Sequence, residues 1–136
     1  AEPLGFDSIW SVEHHFTPYT MVPDVLQFLT YMAGRTSKIE LGSMVVVLPW
    51  HDPVRVAEQI AMLDNLSKGR IVIGFGRGAA TVEYNGFRVA MEESRERFVE
   101  AAEVVCDLQG PEAVFADVAG VQLVSRPALL ALQALD

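Results

Sequence analysis

Cysteine is nearly missing from this 136-residue chain. Cys106 stands alone, which excludes both a disulfide framework and a thiolate metal cluster. Positive charge is scarce as well: ten Lys and Arg face 18 Asp and Glu, for a net charge of −8. Neither nucleic acid nor an anionic membrane surface is therefore expected as the main partner, and an anionic ligand needs a specific local site. No apolar run reaches the roughly 20 residues of a membrane span, and no basic-then-apolar leader opens the chain; the expectation is a cytoplasmic protein. Histidine is sparse too. His14, His15 and His51 are the three in the chain, and two of them are adjacent.

What is present is an ordinary globular balance, 51% hydrophobic and 21% charged, in a chain long enough for one domain with a sizeable core. Residues 6–12 alternate apolar and polar side chains and read as a strand. Glu13, His14 and His15 follow at its C-terminal end. Neighbouring side chains on a strand point to opposite faces, so one imidazole is expected inward and the other outward. On its own this pair reads equally as a surface or helix-capping pair beside Glu13. Asp24 then opens a helical pattern, with Val25, Phe28, Leu29, Met32 and Ala33 on one stripe, closed by Gly34 to Lys38. Residues 39–48 are too continuously apolar for a half-exposed strand, so both faces are expected to be covered, as in a parallel sheet.

Asp52 is a good N-cap and Pro53 a good first helical residue. The helix they start carries Val56, Ala57, Ile60, Ala61 and Leu63 on one face and stops at Ser67-Lys68-Gly69. Residues 70–76 form a third buried strand, followed by the Arg77-Gly78 loop and a loop-like stretch, 81–87. A further helical pattern spans 91–106, with Glu93 and Arg97 as an i,i+4 pair. Strand and helix alternate, with strand centres about 30 residues apart, which predicts an α/β fold of parallel βα units. The boundaries are a 1–106 unit and a 107–136 tail, in which Val114-Phe115 and 121–124 look strand-like and Leu129 to Leu135 helix-like.

Every unusual polar group falls just past a strand's C-terminal end: Glu13-His14-His15, then Trp50-His51, then Arg77. That edge is where α/β folds bind ligands. Gly74 to Gly78 invites a dinucleotide reading, but that fingerprint needs a third glycine opening a helix at once. Arg77 between glycines reads either as a surface arginine in a tight turn or as a guanidinium placed to grip a phosphate. Metal binding by Glu13, His14, His15 and His51 lacks the usual H-x-H or H-x-x-x-H spacing, and no metal is assigned.

Taken in order, Gly5-Phe6-Asp7-Ser8-Ile9-Trp10, Glu13-His14-His15-Phe16-Thr17, Val47-Leu48-Pro49, Asp52-Pro53-Val54-Arg55, Ala57-Glu58, Leu63-Asp64, Ser67-Lys68-Gly69-Arg70 and Gly76-Arg77-Gly78 resemble the bacterial luciferase-like flavin monooxygenase family. The resemblance covers residues 5–106. It implies an incomplete TIM (β/α)8 barrel with about three strands and three helices visible. It also implies reduced FMN as cofactor (coenzyme F420 in one branch) and oxygen transfer to a small organic substrate. By position, His14 matches the catalytic histidine, an acid or base beside the flavin. Arg77 matches the arginine that holds the flavin phosphate. Met44-Val45 lies where luciferases have a cis peptide against the isoalloxazine ring, and Gly76 stands where luciferase α chains carry a cysteine near the reactive flavin carbon. That difference speaks against light emission, not against oxygenation.

The same resemblance implies a separate flavin reductase and a homo- or heterodimer packed at the second helix, where Ala57 and Ala61, one turn apart, either let another helix approach or simply seat this helix on the sheet. The family's first strand and its strands five to eight have no counterpart, so a fragment with unpaired sheet edges is expected, inactive alone. Two other readings stay open: an F420-dependent oxidoreductase, and a non-catalytic subunit acting through association.

Overall fold

Aspartates start the two long helices that follow the first strands. Asp24 accepts from the Gln27 amide at 2.8 Å, and Asp52 accepts from the Arg55 amide at 3.0 Å with Pro53 in the first turn. In this computed structural model, which describes residues 1–19, 22–110 and the strand backbones at 114–118 and 121–125, the caps open α1 (Val25–Arg35) and α2 (Pro53–Ser67). Lys68 closes α2 in the left-handed conformation. Three parallel strands, β1 (Ser8–Ser11), β2 (Glu40–Val47) and β3 (Ile71–Gly76), lie side by side in chain order. Ile9 pairs with Leu41 and Leu41 with Ile71. A sheet that adds each new strand beyond the last is built like a barrel wall.

One sheet face is covered by α1, α2 and α4 (Ser94–Gln109). Leu29, Leu41, Ile60, Leu63, Ile73 and Val105 are all 1% exposed or less, and full burial of such a side chain contributes about 1.5–3 kcal/mol. Among the described residues the other face is open: Trp10 is 42% and Met44 57% exposed. Between β2 and β3 the register shifts after Ser43. Ser43 is fully buried and bridges the strands there, donating to the Gly74 carbonyl and accepting from the Gly74 amide at 2.9 Å. The peptide bond that follows, Met44-Val45, is cis.

The strand N-termini are tied down by two charged side chains. Arg70 donates to the carbonyls of Ser67 at 2.7 Å, Ile39 at 2.8 Å and Ala33 at 3.2 Å. Glu2 accepts from the Lys38 and Ile39 amides at 2.8 and 3.0 Å. The backbone donors of Ile39, Lys38 and Ser37 hold the Glu2 carboxyl down at about 2. With that end of the sheet fixed, the opposite end is left to carry polar loops.

Three expectations are corrected. Residues 81–87, read as a loop, form a short helix, α3 (Thr81–Phe87). Seven residues with Gly86 inside show no apolar period; the helix is held instead by Tyr84, fully buried, whose hydroxyl donates to the Arg77 carbonyl. The parallel units β1 to β3 stand as expected, but the sheet does not end at β3, because the tail adds antiparallel strands to it. β4 (Val114–Val118) and β5 (Val121–Ser125) pair antiparallel, and β5 pairs antiparallel with β3. Two residues between strands are too few for a parallel crossover, and the β3 edge expected to be bare is covered. Finally, Ala57 and Ala61 are buried within the chain, and Gln109 of α4 donates to the Ala57 carbonyl at 2.9 Å, so Ala57 seats a helix of this same chain.

The helix read as 91–106 runs to Gln109 after a short turn at Met91–Glu93, with Arg97 and Glu93 paired at 2.9 Å. The Leu-rich end, 126–136, lies outside the described residues. Among the described residues no helix is long and apolar enough to cross a membrane.

Candidate functional site

The loops after β1 and β2 converge on Glu13. Its carboxylate is 4% exposed and every contact it makes is with an N–H donor. Oε2 accepts from the Val47 amide at 2.9 Å, while Oε1 accepts from His15 Nε2 at 2.9 Å and His51 Nε2 at 2.6 Å. An ionised carboxylate only accepts, so both imidazoles carry their proton on Nε2. Burial by itself would push the His51 imidazole down; the hydrogen bond and charge of Glu13, with Asp24 further off, outweigh it and hold the imidazole above its ordinary value. One acid thus ties together the ends of β1 and β2.

The adjacent histidines part company at this point. β1 ends at Ser11, and the chain turns through Phe16 in the left-handed region at φ 59, an unusual conformation for a bulky residue. The His15 side chain is 9% exposed. Its ring meets Phe87 edge-on at 4.6 Å and Trp50 at 5.4 Å, and Trp50 stacks on Phe87. His14 is 34% exposed, with Tyr19 edge-on at 5.1 Å. His14 Nδ1 lies 3.3 Å from Glu83 Oε1, and that same oxygen accepts from the His15 backbone amide at 2.8 Å. Glu83, on α3, is 3% exposed.

Arg77 follows β3 and is exposed. Its NH1 donates to Ser94 Oγ, at the buried start of α4, at 3.0 Å. The Tyr84 phenol beneath it is raised by burial against smaller opposing effects of Ser94 and Arg77. Two glycines flank the arginine because there is no room for more. A Cβ on Gly76 would overlap the Val45 side chain, and one on Gly78 would sit 2.8 Å from Val47 and 2.9 Å from Trp50. Gly78 also has φ 78, where a side chain is strained.

The structure brings Val45 directly against Gly76, with Met44 and Arg77 next to them in the chain. His14 stands on the loop after β1 and is linked to the β3 side through Glu83. Glu83 and Ser94 are partners that sequence reasoning missed. Both lie beyond β3, where residues 81–87 gave no helical period; the one available signal was an acid beside Tyr84 a few residues after the glycine loop. Among the described residues no three His, Cys, Asp or Glu side chains form a group that could hold a metal ion. The arrangement offers an anion-gripping guanidinium at one end, an accessible imidazole at another, and an apolar floor of Trp10 and Met44 exposed between strands.

The sequence profile of the luciferase-like monooxygenases matches residues 1–128. The alkanal monooxygenase alpha chain of Aliivibrio fischeri is 40% identical over 92 residues, 68% of this chain and 26% of that protein. The monooxygenase RslO1 of Streptomyces bottropensis superimposes with a TM-score of 0.79 at 36% identity, over 95% of this chain and 39% of that one. Two further structures share the fold at lower identity. The oxygenating constituent of 3,6-diketocamphane monooxygenase of Pseudomonas putida, in complex with FMN, has a TM-score of 0.76 at 20% identity over 92% and 35% of the two chains. An F420-dependent secondary alcohol dehydrogenase has 0.67 at 21%, over 95% and 41%. The chain spans about a quarter to two fifths of the length of the proteins it matches.

Proposed function

Because the chain belongs to the luciferase-like monooxygenase family, we propose that it forms part of a site for reduced FMN at the C-terminal ends of β1, β2 and β3, serving oxygenation of a small organic substrate. The observation that carries this reading is the corner at Gly76-Arg77. Bare backbone at Gly76 lets Val45 close in, and the exposed Arg77 guanidinium is braced through one nitrogen by Ser94 while its other donors remain for a phosphate. A flat, apolar ring fits the open floor beside Met44 and Val45, and a phosphate monoester suits a braced guanidinium.

When bound, reduced FMN supplies the electrons that activate oxygen. The chain's own residues do the rest. Arg77 binds the phosphate and sets the register of the ring. Met44 and Val45 support the ring's face. His14, 34% exposed on the loop after β1, would take up or deliver a proton at its imidazole. The Trp50-Phe87-His15 cluster packs beside the Gly78 turn and would help to exclude water there. Reduced flavin from a separate reductase and pairing with a second chain belong to the same reading.

F420 remains the alternative cofactor. FMN is preferred because relatives above 30% identity include the alkanal monooxygenase alpha chain and the monooxygenase RslO1, whereas the F420-dependent neighbour shares the fold alone. Titration with FMN and with F420, followed by flavin or deazaflavin fluorescence, tests the choice. Saturable binding of FMN with weaker binding of F420 is expected; the reverse order would replace the oxygenase reading, and no binding of either would favour a subunit acting through association.

A further inference from the structure

We infer that Glu83 is a positioning residue: its buried carboxylate fixes neutral His14 as the Nδ1–H tautomer and leaves Nε2 as the atom free to take a proton. This rests on the reading of His14 as the proton-exchanging group.

The carboxylate is held independently of His14. Glu83 is 3% exposed, and its Oε1 accepts from the His15 backbone amide at 2.8 Å, a charge-assisted bond that satisfies part of a group costly to bury. α3 itself is anchored by the Tyr84 hydroxyl on the Arg77 carbonyl. A fixed, accept-only oxygen 3.3 Å from His14 Nδ1 demands a proton on that nitrogen. A free imidazole favours the other tautomer, so the environment reverses the intrinsic preference. The neighbouring histidine is held the opposite way, since His15 donates through Nε2 to Glu13. Adjacent imidazoles in opposite tautomers, each set by its own buried acid, separate a ring that holds the loop from a ring that can exchange protons. His14 is the accessible member of its pair, 34% exposed while its acid is sequestered.

Ring-nitrogen NMR of the 15N-labelled chain reads the tautomer directly. At a pH where His14 is neutral, its Nδ1 is expected at the protonated-nitrogen shift and its Nε2 at the unprotonated one, with His15 reversed. Glu83→Gln is expected to move His14 toward the Nε2–H form, and Glu83→Asp to retain the wild-type tautomer in part. If wild-type His14 is already Nε2–H, or if Glu83→Gln leaves its tautomer unchanged, the inference is overturned; the wild-type spectrum decides even where a variant does not fold. The oxygenase reading is checked separately in the whole protein. There Glu83→Gln is expected to lower kcat about ten-fold or more with KM nearly constant, while full turnover in His14→Gln would sink the reading of His14 and leave the tautomer result standing.

Discussion

His51 and Glu13 share a 2.6 Å hydrogen bond that joins the loop after β2 to the loop after β1. The contact is pH-linked. Glu13 holds the His51 imidazole above its ordinary value of 6.5, against the effect of burial. A group whose value is raised on folding stabilises fully below its unfolded value and loses that contribution as pH rises through the folded one. Wild-type stability is thus expected to include a component present below about pH 6.5 and lost on the alkaline side. Denaturation midpoints across pH for wild type and His51→Gln check this: the variant should lack the component, and parallel curves would contradict it.

Val45 and Gly76 are a matched pair across β2 and β3. Gly76→Ala forces a methyl into the Val45 side chain, an overpacking expected to cost about 1–3 kcal/mol. In a Val45→Ala background the same change should cost clearly less. Urea unfolding of the four proteins gives the coupling directly; additive effects would mean that Val45 is not what excludes a side chain at position 76.

His14 and His15 should behave in opposite ways. In the whole protein His14→Ala is expected to leave the fold and FMN affinity within a few-fold of wild type while lowering turnover about a hundred-fold or more. His15→Ala removes a ring packed edge-on against the Trp50-Phe87 stack and takes away one donor to buried Glu13, so it is expected to cost about 1–3 kcal/mol of stability. Thermal melts and steady-state rates of both variants separate the roles. A folded, fully active His14→Ala would remove that residue from the chemistry.

Local signals carried much of this fold. Asp24 and Asp52 cap as their positions suggest, and the continuous apolar runs do mark β2 and β3 as strands, although β2 is covered on one face only, with Met44 57% exposed on the other. What stayed hidden was long-range. Strand alternation runs out at Ser11, so nothing in the order of residues shows that Glu13 turns inward to meet Val47 and His51. α3 lacks a period because Phe16 packs where Gly86 has no side chain, and its burial rests on Tyr84 and Glu83 alone. The antiparallel return of β4 and β5 depends on a two-residue connection that apolar patterning does not reveal.

FMN and riboflavin differ only in the phosphate, so their binding to wild type and Arg77→Ala isolates the corner on which the proposed site rests. FMN affinity is expected to fall about ten-fold or more in Arg77→Ala, the size of one or two charge-assisted hydrogen bonds, with riboflavin affinity almost unchanged. Equal losses for both ligands, or none for either, would contradict a phosphate site at Arg77.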